Sequence, residues 1–112
     1  MMIKIMKRPR ILLIVAPSLY QCAKTAEAWG LVPGQIENFR NVTRAIQLRG
    51  VTPGTPFISI DRKSWVATPE GYELDTALDV VQRAGLVRIA QDDDLANHRA
   101  YDGVPLREAV AR

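Results

Sequence analysis

The sequence predicts an α/β fold, a small three-layer sandwich of about four mostly parallel strands with helices on both faces. Three observations lead there. Short apolar runs alternate along the chain with segments of helical periodicity, and such alternation implies βαβ units with right-handed crossovers. The first run, Ile11-Leu-Leu-Ile-Val-Ala16, is apolar at every position, as in a strand buried on both faces. A chain of 112 residues, 47% hydrophobic and 24% charged, has the composition of one globular domain, expected to span 1–112. A domain of that length buries roughly two thirds of its unfolded surface and folds without a disulfide or metal.

The elements follow in order. Residues 1–9 carry Lys4, Lys7 and Arg8 and are expected to be a frayed, basic N-terminus. The apolar run behind them is too short for a signal-peptide core and far below the ~20 residues of a membrane span. A cytoplasmic protein with no membrane contact is expected. Pro17 ends the first strand, and Ser18 is placed to cap a helix because its hydroxyl can accept a free N–H of the first turn. Leu19, Cys22, Ala23, Ala26 and Trp29 give that helix an apolar stripe, with Gln21, Lys24, Thr25 and Glu27 off it. Gly30 closes it in the left-handed conformation that suits glycine.

After a loop around "VPGQ", Asn38–Val42 reads as a short polar strand, the expected edge of the sheet. Thr43 is expected to cap a short helix over Arg44–Arg49. "TPGTP" is a turn cluster, and Phe57-Ile-Ser-Ile60 reads as a strand ending at Asp61. The clearest helix has Thr68 as cap, Pro69 at its first position and Glu70 facing the positive end of the dipole. Its stripe is Leu74, Ala77, Leu78, Val81 and Ala84, and Gly85 stops it. Leu86–Ala90 is a fourth strand. Residues 92–112 are expected to form an acidic turn, Asp92–Asp94, and a helical tail containing "PLREAVAR".

Ser18-Leu-Tyr-Gln-Cys-Ala23-Lys24-Thr25 resembles a phosphate-binding P-loop, G-x-x-x-x-G-K-[ST], with Ser18 and Ala23 in the two glycine places. "FISID" is similar to the strand that delivers the magnesium-site aspartate in P-loop ATPases. The resemblance implies a Rossmann-like core in which Lys24 would meet phosphate, Thr25 would ligate magnesium and Asp61 would support it. Arg62 stands where the catalytic base usually follows. A P-loop wraps phosphate in successive backbone N–H groups, and its glycines allow that close approach. Without them, and with Ser18 as cap, Lys24 falls inside the helix, so the expectation is a degenerate site.

In an open parallel sheet, ligands bind beyond the carboxyl ends of the strands. Those positions hold Ser18 and Tyr20, then Asn41, Thr43 and Arg44, then Asp61, Arg62, Lys63, Ser64 and Trp65. "DRKSW" sets two cations and an aromatic on one loop, a composition suited to a partner surface or a nucleic-acid backbone. The competing assignment has Trp65 covering the end of the sheet.

Catalytic groups are sparse. His98 is the one histidine and Cys22 the one cysteine, which excludes an internal disulfide and a cysteine-cluster zinc site. "DDDLANH" reads as a solvated turn or helix cap, and Cys22 lies on an apolar stripe. No catalytic residue, metal or cofactor is assigned. The expectation is a non-enzymatic binding module working through a protein partner, using Ser18, Tyr20, Arg44, Asp61, Arg62, Lys63 and Trp65. The chain also resembles small accessory proteins of bacterial viruses that target a host factor.

Two alternatives remain at this level. The net charge is +3, and Lys4, Lys7, Arg8, Arg10, Arg40, Arg44, Arg49, Arg62 and Lys63 could form a basic face for nucleic acid. The degenerate loop, Ser18, Ala23, Lys24 and Thr25, could still bind nucleotide.

Overall fold

The computed structural model describes residues 11–31 and 38–97. The basic N-terminus, the loop around "VPGQ", His98 and the end of the tail lie outside the described residues. Four strands form one all-parallel sheet in the order β2-β1-β3-β4. They are β1 (Leu12–Val15), β2 (Phe39–Val42), β3 (Thr55–Ile58) and β4 (Val87–Ile89). β1 is central, and all four of its side chains are buried. Leu12–Val15 stand beside Phe39–Val42 on one side, and Leu13 and Ile14 beside Phe57 and Ile58 on the other.

The helices are α1 (Leu19–Ala28), α2 (Arg62–Trp65), α3 (Pro69–Arg83) and α4 (Asp92–Asn97). The chain steps one way from β1 to β2 through α1, then back past β1 to β3 and onward to β4 through α3. With right-handed crossovers, that reversal puts α1 and α3 on opposite faces. α1 packs against β1 and β2, whereas α3 packs against β4 and a 3₁₀ turn at Ala45–Leu48. The sheet is therefore a small Rossmann-like α/β core.

Local chemistry sets the helix ends. Ser18 has an extended backbone, and its hydroxyl accepts from the Gln21 N–H at 3.2 Å. Thr68 does the same for Gly71 at 3.1 Å. Both main helices stop in the same way. Gly30 and Gly85 have φ of 77° and 76°, and the next N–H, of Leu31 or Leu86, returns to the Ala26 or Val81 carbonyl. This is the glycine-terminated arrangement that satisfies the orphan carbonyls.

The structure corrects several boundaries and faces. Leu19 and Ala23 are exposed, and α1 instead buries Cys22, Thr25 and Ala26. Thr25 can be buried because its hydroxyl donates to the Gln21 carbonyl at 2.7 Å, leaving its methyl to pack. Ala84 is an exposed cap, outside the buried face of α3. β3 begins at Thr55 and ends at Ile58, so Pro56 belongs to the strand and Ile60 does not. Pro56 precedes the first β1–β3 pair, Leu13 with Phe57, near the strand start where a missing N–H is tolerated.

Thr43 is not the cap of the next segment. The Gln47 carboxamide oxygen accepts from the Thr43 and Arg44 N–H groups at 2.8 and 3.0 Å, and a 3₁₀ turn forms in place of an α-helix. The acidic triplet opens α4 and is no turn. Asp94 takes a two-pronged contact from Arg88 at 2.5 and 2.7 Å and accepts from the Gln91 N–H at 2.8 Å. That seats Leu95 in the core.

Candidate functional site

β1 and β3 are neighbours from which the chain departs in opposite directions, the switch point at which open α/β sheets bind ligands. A cleft of about 180 Å³ lies beyond their carboxyl ends. Ala16, leaving β1, and Ile60 and Trp65, following β3, supply its apolar wall. Gln21, Lys24 and Thr25 line it from α1, and Asp61 and Ser64 from the start of α2.

Asp61 carries the unusual geometry. Its φ of 52° and ψ of 42° are left-handed, a region that aspartate and asparagine tolerate better than most residues. The Asp61 carbonyl accepts from the Ser64 N–H at 3.0 Å and the Ser64 hydroxyl at 2.8 Å. Its carboxylate has no hydrogen bond or ion pair with another described residue. Lys24 lines the same cleft, but its ammonium is already engaged. It stands 3.6 Å from a Glu27 oxygen and 5.6 Å from the centre of the Tyr20 ring.

The neighbouring cation and aromatic are built into the fold. Trp65 is 2% exposed and belongs to the core, so it covers the end of the sheet and reaches the surface only where it lines the cleft. Arg62 crosses to α3. Its Nε donates to Asp75 at 2.8 Å, and Nη1 lies 3.3 Å from the Gln82 carboxamide oxygen. The guanidinium also sits 5.8 Å over the Trp65 ring. Arg62 thus fastens α2 to α3.

Among the sequence-marked residues, Lys24, Thr25, Asp61, Ser64 and Trp65 come together at the cleft, and exposed Tyr20 adjoins Lys24. Ser18 is occupied as a cap, Ala23 lies on the exposed side of α1, and Lys63 is exposed outside the cleft lining. Arg44 is exposed on the segment leaving β2. Sequence reasoning missed Ala16, Gln21 and Ile60. The position of Ile60 just past a buried strand was a usable signal; Gln21 had none beyond its place in the first helical turn.

The chemistry available is limited. α1 opens at Leu19, so Lys24 is in its second turn, away from the free N–H groups at the helix start. Burial pushes the Cys22 thiol up to about 11. The thiol points at the Ile14 carbonyl, 3.4 Å away, and a protonated, enclosed thiol is a poor nucleophile. Among the described residues no three His, Cys, Asp or Glu side chains gather as a metal site, and no helix is long and apolar enough to cross a membrane.

Fold and cleft together define a small doubly wound α/β protein with a cleft at the switch point. No family model matches the chain, and no similar curated protein or solved structure is found.

Proposed function

We propose that this protein is a binding module that docks a protein partner against the carboxyl end of its sheet. The observation that carries this reading is the distribution of exposed apolar side chains. Nine large ones are exposed among the described residues: Ile11, Leu19, Tyr20, Ile46, Ile60, Val66, Tyr72, Val80 and Ile89. Five of them, Leu19, Tyr20, Ile46, Ile60 and Val66, stand on the segments leaving β1, β2 and β3. Apolar and aromatic side chains gathered on the segments that follow the strand ends, with Ile60 also lining the cleft, suit the composition of an interface core. The cleft itself is smaller than the ~300–1,000 Å³ of pockets that enclose drug-sized ligands, which favours a macromolecule over a nucleotide.

The test is site-specific photo-crosslinking. A photoreactive amino acid is placed at position 20 or 66 and, as controls at comparably exposed sites, at 80 or 89. Adducts with one protein from positions 20 and 66, absent from 80 and 89, are expected. Adducts favouring 80 and 89 would reject this surface. Salt-sensitive retention of DNA with no protein adduct would favour the basic-face reading instead. Thermal stabilisation by millimolar nucleotide and magnesium would restore the degenerate-loop reading.

A further inference from the structure

We propose that the cleft at the switch point receives one basic side chain of the partner, a lysine or arginine whose charge meets the Asp61 carboxylate. The inference rests on the docking reading above and specifies its anchor. Size is the first consideration. A cleft of about 180 Å³ has room for a single long side chain. Lining is the second: Ala16, Ile60 and Trp65 offer an apolar passage, and lysine and arginine bury their methylene stems along such surface while holding the charge at a polar end.

Charge is the third consideration, and it selects the sign. Two ionisable side chains line the cleft, Lys24 and Asp61. The Lys24 ammonium already has a counter-ion in Glu27, 3.6 Å away, and lies 5.6 Å from the centre of the Tyr20 ring. The nearby guanidinium of Arg62 is likewise balanced by Asp75. Of these three, Lys24, Arg62 and Asp61, Asp61 alone lacks a counter-ion among the described residues. The left-handed turn at Asp61 is closed by its backbone carbonyl and Ser64, so the turn makes no use of the carboxylate. A cation entering the cleft gains an ion pair without breaking one, whereas an anion would meet Asp61 uncompensated. The Ser64 hydroxyl, a donor to the Asp61 carbonyl, retains lone pairs for a second N–H of the guest.

N-acetyl-lysine methylamide is the probe, and its norleucine counterpart, with the same stem and no charge, is the control. Amide and indole resonances of the whole chain are followed by NMR during titration. The lysine compound is expected to shift the Ser64 amide and the Trp65 indole N–H saturably, and the norleucine compound to leave them in place. Asp61→Asn keeps a residue that accepts the left-handed conformation and should weaken the response roughly tenfold. Glu73→Gln, which removes an exposed carboxylate on α3 outside the cleft lining, should leave it nearly unchanged.

A lysine titration without saturable shifts at these two residues overturns the proposal. Equal shifts from norleucine, or an unaltered response in Asp61→Asn, do the same. Failure here together with crosslinks from positions 20 and 66 leaves docking intact and removes only the anchor. A lysine response without any crosslinked protein would instead detach the cleft from the docking surface.

Discussion

Two connections leave the centre of the sheet side by side, and they are built in opposite ways. The one from β1 into α1 is short and self-contained. Ser18 closes the helix start, its hydroxyl meeting both the Gln21 N–H and the Gln21 side chain, and Cys22 turns its thiol back to the Ile14 carbonyl. The one from β3 into α3 is longer and depends on distant parts of the chain. It passes through a left-handed Asp61, inserts the four-residue α2, buries Trp65, and sends Arg62 to Asp75. The first junction satisfies its polar groups locally and leaves the apolar side chains of Leu19 and Tyr20 exposed. The second spends its bonds on anchoring α2 against α3, and its one carboxylate, that of Asp61, lines the cleft with no partner among the described residues.

That contrast ranks the effects of mutation. Trp65→Ala should cost most, about 4 kcal/mol, as expected for truncating a fully buried large aromatic. Urea denaturation should show the midpoint fall sharply with little change in slope. A cost below about 1 kcal/mol would mean that the second junction does not depend on its core contact.

Gly71→Ala comes next. A methyl group there would sit 2.1 Å from the Trp65 carbonyl oxygen and 2.9 Å from its carbon, so α2 and α3 would have to separate. About 3 kcal/mol of destabilisation is expected, at the upper end for overpacking. Gly30→Ala, at the end of the first junction's helix, meets nothing within 4 Å and is strained only by its φ of +77°. That change should cost about 1 kcal/mol. Equal losses at the two glycines, measured by the same denaturation, would erase the distinction between local and tertiary control.

Legibility followed the same division. Ser18, Gly30, Thr68, Pro69 and Gly85 announced helix ends because caps and left-handed stops act over two or three residues. The strand alternation announced a parallel sheet because buried β-branched runs have few other uses. Trp65 and Arg62 were marked by composition, but their roles depend on Asp75, Gln82 and the whole of α3, which no local pattern encodes. Thr25 shows the limit within one helix. It reads as polar, yet its hydroxyl is satisfied one turn back, and the residue packs as an apolar one. The left-handed Asp61 and the crowding at Gly71 are likewise products of how α2 meets α3. The cleft could be located from strand ends, and Lys24, Thr25, Asp61, Ser64 and Trp65 of its lining were marked there; its charge balance could not be read.

The buried thiol gives the first junction a pH signature. Because the Cys22 value rises from 9.0 to about 11 on folding, the unfolded chain loses this proton first. Its contribution is fully present below pH 9 and declines as pH climbs toward 11, by roughly 3 kcal/mol in all. Stability curves of the native chain and Cys22→Ala should converge over that interval. Parallel curves would show that the thiol is open to water and that the first junction is looser than its hydrogen bonds imply.

The smallest effect separates the two helix caps. Ser18→Ala removes the acceptor for the Gln21 N–H, and Thr68→Ala the acceptor for Gly71. Each should cost about 1 kcal/mol as a lost cap. Thr68 is also the bridge between α2 and α3, its own N–H reaching the Trp65 carbonyl at 3.4 Å. If the second junction is a tertiary assembly, combining Thr68→Ala with Gly71→Ala should give a loss different from the sum, since both act on one contact. Ser18→Ala combined with Gly71→Ala should add simply, because the two sites share no described partner. Additivity in both pairs would make the two connections alike, and the energetic case for treating the α2 side as a separately assembled unit would fail.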